Sequence, residues 1–255
     1  MANILDKYGI KEVADVTFYE IDDQTGAAAA PVLYLDTLKV STIEQTAEDV
    51  SAKGGKGNPN LITWDYGKEI NVTLEDALFS AKSMAILFGN GTTTDVTSIK
   101  KTITWTATAS GDATTAGRPS SFRGPQGRDY AIPSDVTPVD YDATGSSVSS
   151  YDKGETYFMV MDIPITGAEI EISPDSFPGT YYVTGDTYAR SEKTGKDEFF
   201  QFIIPKAKVA SENTITMEAE GDPSVFNLNL KVLRPTTGPM MKLVKYDIDI
   251  ATEGD

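Results

Sequence analysis

The chain has 255 residues, 40% of them hydrophobic, with 38 Asp plus Glu against 22 Lys plus Arg and a formal net charge of −16. Such an excess opposes direct attraction to nucleic acid or to an anionic membrane. It contains no His and no Cys, which removes the commonest general bases, the most reactive nucleophile and the usual transition-metal ligands together.

Residues 1–91 hold 14 acids and 7 bases, residues 92–161 hold 8 and 6, and residues 162–255 hold 16 and 9. The two ends are acidic and the middle is nearly balanced. No terminal block of like charge marks a disordered tail. The length suits one large domain or two small ones. No run approaches the roughly 18 apolar residues of a membrane span. Met1 to Asp6 lacks the basic and apolar regions of a secretory signal, so synthesis and folding in a cytoplasm are expected.

The pattern is β almost throughout. Glu12 to Ile21 is rich in Val, Thr, Phe and Tyr, and Val32 to Thr46 reads as a long strand through Leu33, Leu35, Leu38 and Val40. Leu61 to Asp65 and Lys68 to Ala77 follow, with Tyr66-Gly67 as the turn between them. In the second of these, Ile70, Val72 and Leu74 alternate with Asn71, Thr73 and Glu75, the period of a half-buried strand. Ser80 to Phe88 breaks that period. Ser80 can cap a short amphipathic helix and Gly89 can close it, with Met84 as a core filler; an apolar strand is the competing reading.

Ser98 to Thr108 is again a strand. From Ala109 to Ser150 the chain is dominated by Thr, Ser, Gly, Asp and Pro, with Arg118, Arg123 and Arg128 spread along it. A loop of that length is unusual inside a compact domain. Residues 92–155 therefore read as an insertion, packed on a neighbour, folded into small hairpins or left as a mobile linker. Regular strands return at Tyr157–Ile163, Ala168–Ile172, Thr180–Arg190, Asp197–Ile204, Asn213–Glu220, Val225–Arg234 and Lys242–Ile250. Ser191 to Lys196 is a hairpin loop with Gly195 available for positive φ. The sum is a mainly β chain of two packed antiparallel sheets with one short flanking helix.

Catalytic constellations are weak. Asp22-Asp23, Glu48-Asp49 and Glu75-Asp76 are adjacent acids, and Asp247 and Asp249 share a strand face. Carboxylate pairs can cut glycosides or hold Ca²⁺, but so acidic a chain places such pairs on solvated surfaces by composition alone. Asp140-Tyr141-Asp142-Ala143-Thr144-Gly145 has part of a calcium loop without its third ligand or terminal Glu. Trp64 and Trp105 could stack on a sugar, with core or interface packing as the stronger reading. No catalytic, cofactor or metal residue is assigned, and the chain is expected not to be an enzyme.

Lys53-Gly54-Gly55-Lys56-Gly57-Asn58-Pro59 is no phosphate-binding loop, because no Gly-Lys-Ser/Thr completes the spacing. It lies in a polar excursion from Ala47 to Asn60 that includes Glu48 and Asp49. Positive residues in an acidic chain suit a self-complementary contact, with Lys53 and Lys56 meeting carboxylates of a neighbouring copy. An ordinary flexible loop is the alternative.

Four runs carry a resemblance. Lys53-Gly54-Gly55-Lys56-Gly57-Asn58-Pro59-Asn60-Leu61-Ile62-Thr63-Trp64-Asp65-Tyr66-Gly67-Lys68-Glu69-Ile70 resembles tail tube proteins of long-tailed bacteriophages. So do Phe177-Pro178-Gly179 to Arg190, Phe199 to Val209, and Gly221-Asp222-Pro223-Ser224-Val225-Phe226-Asn227. Residues 92–155 lie outside it. The resemblance implies hexameric rings stacked into a tube, a continuous β-barrel around a channel, and a long loop bridging subunits or rings, here Ala47 to Asn60. The implied partners are further copies of the chain, a tape measure protein in the channel and tail-end or baseplate proteins, with DNA passing through unbound. The location implied is the virion. A carboxylate wall would let DNA slide, and Glu169, Glu171, Glu218 and Glu220 are the channel candidates because they alternate with Ile170, Ile172, Met217 and Ala219. Two other classes stay open, a carbohydrate-binding or glycan-cutting β-sandwich and a decoration or baseplate component.

Overall fold

The computed structural model describes residues 7–89, 93–112, 117–212, 215 and 225–246. Contacts divide the chain into two compact units, residues 1–93 with 170–255, and residues 94–169. The first unit opens with β1 (Tyr8–Ile10), β2 (Asp15–Ile21), β3 (Ala28–Leu35), β4 (Leu38–Lys53), β5 (Asn60–Asp76) and α1 (Ala81–Phe88). The second holds β6 (Thr94–Thr106), β7 (Gly111–Asp112), β8 (Ser121–Arg123), β9 (Asp129–Ala131), β10 (Val139–Tyr141), β11 (Ser150–Tyr151) and β12 (Thr156–Glu169). The first unit resumes with β13 (Thr180–Ser191), β14 (Asp197–Val209), β15 (Phe226–Val232) and β16 (Lys242–Tyr246). Every pairing is antiparallel.

The first unit is a nine-stranded sheet of order β3-β2-β13-β14-β15-β5-β4, with β1 also on β13 and β16 also on β14. Alternation in the sequence sets its faces. Phe226, Leu228, Leu230 and Val232 of β15 are buried while Asn227, Asn229 and Lys231 are exposed. One hydrophobic cluster takes Phe18 and Leu33 from one end of the strand order, Val72 and Leu74 from the other, and Val183, Ile204 and Val209 from the middle. The sheet therefore curls over a shared core, with its two halves acting as the packed layers. β14 passes between the halves. Its residues 199–203 pair with β16 and 207–209 with β15, and the β13 register shifts around Pro205 and Lys206. Pro lacks a ladder donor, so a strand accepts it at such a break.

α1 forms where the β alternation fails. The Ser80 hydroxyl accepts from Ser83 N–H at 3.0 Å, and Ser83 Oγ accepts from Ser80 N–H at 2.9 Å, a reciprocal cap. Ala85, Ile86 and Leu87 are buried and Met84 is half-buried. Gly89 ends the helix at φ +88, and a Cβ there would lie 2.4 Å from the Phe177 carbonyl carbon. Glycine is required at that position twice over, by backbone conformation and by space.

The second unit is built on β12, which pairs with β6 from Thr156–Thr106 to Glu169–Thr94 and with β10 on its other edge. Two short ribbons, β7 with β11 and β8 with β9, complete it. Trp105, Tyr151, Tyr157, Met159, Met161 and Ile163 make its core, with the Trp105 and Tyr151 rings edge-to-face at 4.6 Å. Of the expected forms of the insertion, a small hairpin is seen at β8–β9, while β7–β11 is a long-range pair and β10 joins β12. The unit runs on to Glu169, past residue 155, because β12 is the partner of β6. Glu169 ends β12, opposite the first residue of β6, and no strand follows until Thr180; the separate strand expected at Ala168–Ile172 is absent. The expected strand Asn213–Glu220 and the end of the last strand, with Asp247 and Asp249, fall outside or partly outside the described residues.

Candidate functional site

β4 and β5 form a hairpin longer than the sheet it belongs to. β15 accompanies β5 only from Asn71 to Asp76. From Gln45–Ile70 to Lys53–Asn60 the two strands, among the described residues, pair with each other alone, an arm of about 25 Å at the usual strand rise. Every residue of β5 from Asn60 to Glu69 is exposed.

The register sorts the arm into two faces. Glu48 lies opposite Tyr66, Val50 opposite Trp64 and Ala52 opposite Ile62 on one face; Asp49 lies opposite Asp65 and Ser51 opposite Thr63 on the other. Ser51 and Thr63 hydroxyls meet at 2.8 Å on that second face. The first face is apolar yet open: Val50, Ile62, Trp64 and Tyr66 are 52%, 56%, 53% and 54% exposed. On the second, two carboxylates stand directly across the ladder, an arrangement that opposes pairing. The arm is thus amphipathic, with its apolar side unpartnered among the described residues.

Its tip is a glycine turn. Gly54 N–H donates to Pro59 O at 3.2 Å and Asn58 N–H to Gly55 O at 3.1 Å. Gly55, Gly57 and Asn58 take φ of +83, +87 and +50, conformations that Gly and Asn adopt at least cost. The turn carries Lys56 and is flanked by Lys53, and neither joins an ion pair among the described residues.

Two expectations change here. The excursion expected from Ala47 to Asn60 is loop only from Gly54 to Pro59; Glu48, Asp49 and Lys53 belong to β4, because cross-strand pairs continue to Lys53–Asn60. Tyr66-Gly67 is not a turn between two strands. It lies inside β5, where Thr46 faces Glu69 and Glu48 faces Tyr66, so Gly67 and Lys68 together oppose Ala47. With Gly67 at φ +62, this is a glycine bulge.

The remaining candidates separate. Glu169 ends β12 and accepts from Thr94 Oγ1 at 3.4 Å, while Glu171 is exposed outside any strand, so the two share no strand face. Glu218 and Glu220 lie outside the described residues. Trp105 is core and Trp64 is surface. Asp140 is buried and held by Arg118, whose Nη2 donates at 2.5 Å, and by the Tyr151 hydroxyl. Burial first, then that hydrogen bond, pushes the Tyr151 phenol up to about 12. Asp142 accepts from Thr144 N–H at 2.8 Å and Ser146 N–H at 3.0 Å, which hold it below the usual carboxylate range together with the Thr144 hydroxyl, the largest influence. One oxygen of each carboxylate in the possible calcium loop, Asp140 Oδ2 and Asp142 Oδ1, is therefore turned to protein donors. Asp140 Oδ1 is buried without a hydrogen bond among the described residues. Among the described residues no three acids gather as a cation-binding group. A recess of about 550 Å³ in the first unit is lined by Lys11, Glu12, Asp15, Asp186, Arg190 and Asp197, with Arg190 and Asp197 locked together by two 2.7 Å bonds.

The row Val50, Ile62, Trp64 and Tyr66 is what sequence reasoning missed as a unit. The available signal is the alternation Ile62-Trp64-Tyr66; the sequence reading ends the strand at Asp65 and places Tyr66 in a turn, and alternation says nothing of whether a layer covers the row.

No curated protein matches the chain. The model of the YomU/Tube protein family matches residues 8–245, which takes in both the arm and the second unit. By that match the chain belongs to the YomU/Tube protein family and is a phage tube-related structural protein, a virion component.

Proposed function

We propose that this chain polymerises with copies of itself into a phage tail tube, as hexameric rings stacked around an acidic channel through which the genome passes. The observation that carries this reading is the amphipathic arm, whose apolar row lies open on a chain of the tube family. Among the described residues, both terminal strands of the sheet order, β3 and β4, also keep an unpaired edge. Edges of this kind invite pairing with another chain, and closing them through neighbours gives a barrel without edges.

In this reading the arm bridges subunits or rings, with Lys53 and Lys56 meeting neighbouring carboxylates. The chain works without catalysis or cofactor. The net charge of −16 repels phosphates from the channel wall, so moving DNA meets no deep binding minimum, and the effect reaches about 8 Å in physiological salt. Glu169, Glu171, Glu218 and Glu220 are the wall candidates. The other partners are a tape measure protein during assembly and tail-end or baseplate proteins, and assembly takes place in the host cytoplasm. Negative-stain microscopy of the concentrated protein tests the reading. Hollow tubes of stacked rings are expected; particles of a single chain at every concentration, with and without tail-end proteins, would overturn it.

A further inference from the structure

We propose that the bulge at Gly67 sets the side on which the arm receives a second copy of this chain, by turning Ile62, Trp64 and Tyr66 away from the core side of the sheet. The inference rests on the self-assembly reading.

The parity of the strands carries it. On β4 no residue is extra at this point, so its alternation runs unbroken from Ser41 and Ile43, opposite buried Leu74 and Val72, to Asp49 and Ser51. β5 places two residues opposite Ala47, and its phase switches there. Above the bulge, Ile70, Val72 and Leu74 face the core. Below it, the even-numbered Ile62, Trp64 and Tyr66 continue the opposite face, that of Glu69, Asn71 and Thr73. Run without the bulge's extra residue being absorbed, β5 would set Trp64 and Tyr66 on the core side beside Asp49 and Ser51. A Cβ on Gly67 would have room, since its nearest neighbour is the Glu48 side chain at 3.8 Å. The positive φ, not space, is what calls for glycine.

The second copy is the occupant that the charges favour. The row ends at a tip with Lys53 and Lys56, neither in an ion pair among the described residues, and every copy of the chain is strongly acidic. Glu48 stands beside Tyr66 at the base end of the row and the two lysines at its tip, so the tip end suits an acidic surface with apolar interruptions. The Asp49–Asp65 face is the one left to solvent.

Two edits to the full chain remove the bulge and differ only in the side they expose. Deleting Gly67 leaves Tyr66 opposite Glu48, and the row keeps its side. Inserting one Thr between Thr46 and Ala47 gives Gly67 and Lys68 a partner each and turns the distal arm over. The deletion variant is expected to assemble as the parent does. The insertion variant is expected to keep the parent's thermal midpoint while the concentration needed for assembly rises at least about tenfold, or about 1.4 kcal/mol. A second variant leaves the bulge in place and exchanges neighbours, Thr63→Trp with Trp64→Thr and Asp65→Tyr with Tyr66→Asp; it too should lose assembly. Equal assembly of the deletion and insertion variants, equal loss in both, or undiminished assembly of the exchanged variant overturns the proposal while the tube reading stands. Failure of the parent to assemble overturns both.

Discussion

The base of the β4–β5 hairpin and its arm are the same two strands with opposite fates. At the base, Ile70, Val72 and Leu74 alternate with polar residues and are buried under the curled sheet. In the arm, Ile62, Trp64 and Tyr66 alternate with polar residues in the same way and stay more than half exposed. The residue types do not distinguish the two. What differs is cover: β15 and the core lie against the base, and among the described residues only β4 accompanies the arm. A two-stranded ribbon is marginal in water by itself, and among the described residues no third strand or layer supports the arm. Elsewhere the chain covers charged groups with contacts of its own, as in the second unit, where Arg118 and the Tyr151 hydroxyl both donate to Asp140 Oδ2, while Asp140 Oδ1 is buried without a hydrogen bond among the described residues.

That contrast between closed and open contacts can be broken by substitution. The largest loss is expected where a closed contact holds a charge. Arg118→Ala leaves the Asp140 carboxylate, 1% exposed, without its cation, and should cost roughly 3–5 kcal/mol of stability in the second unit, read by denaturant unfolding. Loss of less than about 1 kcal/mol, the range of a surface pair, would show that the site is not closed. Next comes Leu74→Ala at the hairpin base. Its side chain is fully buried, and the expected loss is about 2–5 kcal/mol. A smaller effect follows from pH. The Tyr151 phenol titrates at about 12 in the folded chain and at about 10 when unfolded. Its contribution is therefore whole below pH 10 and falls away as pH rises from about 10 to 12, because the unfolded chain gives up the proton first. Tyr151→Phe should flatten that alkaline decline in melting temperature. Other phenols, Tyr181 among them, are also raised by burial, so part of the decline remains; an unchanged slope would remove Tyr151 from the cause.

How much of this could be read from the residues follows the same line. Strand periods were legible wherever one face is covered: β15 was placed from Phe226, Leu228, Leu230 and Val232, and α1 from Ser80 and Gly89, because local alternation and capping decide those. The glycine at 67 reads as a turn in sequence, since a bulge and a turn ask for the same positive φ and only the partner strand tells them apart. The reach of β4 to Lys53 was hidden for a related reason. Glu48, Asp49 and Ser51 have the composition of a loop, and their pairing with Tyr66, Asp65 and Thr63 is a long-range fact. The boundary at Glu169 was set by the β6–β12 register, which no period along the chain encodes. Trp105 and Trp64 look alike in sequence. Burial of one and exposure of the other depend on which layer lies above each.

The smallest expected change in stability is also the one that separates arm from base most cleanly. Trp64→Ala removes the largest side chain of the open row, at a position 53% exposed, and the isolated chain should lose no more than about 0.5 kcal/mol, as for other surface substitutions away from a core. The same side chain at the base would cost several times that. If the row is a docking face, however, its aromatic anchor carries a large share of the contact, and assembly should fail although the fold is intact. The chain has two Trp residues, so Trp105→Phe leaves Trp64 as a sole reporter. Its emission should be that of a wet indole in the dissociated chain and shift to shorter wavelength as copies associate. Emission that stays unshifted in assembled material would place Trp64 outside the contact. A large loss of stability in Trp64→Ala would mean that the arm is already covered by its own chain, and the distinction between the two halves of the hairpin would fall.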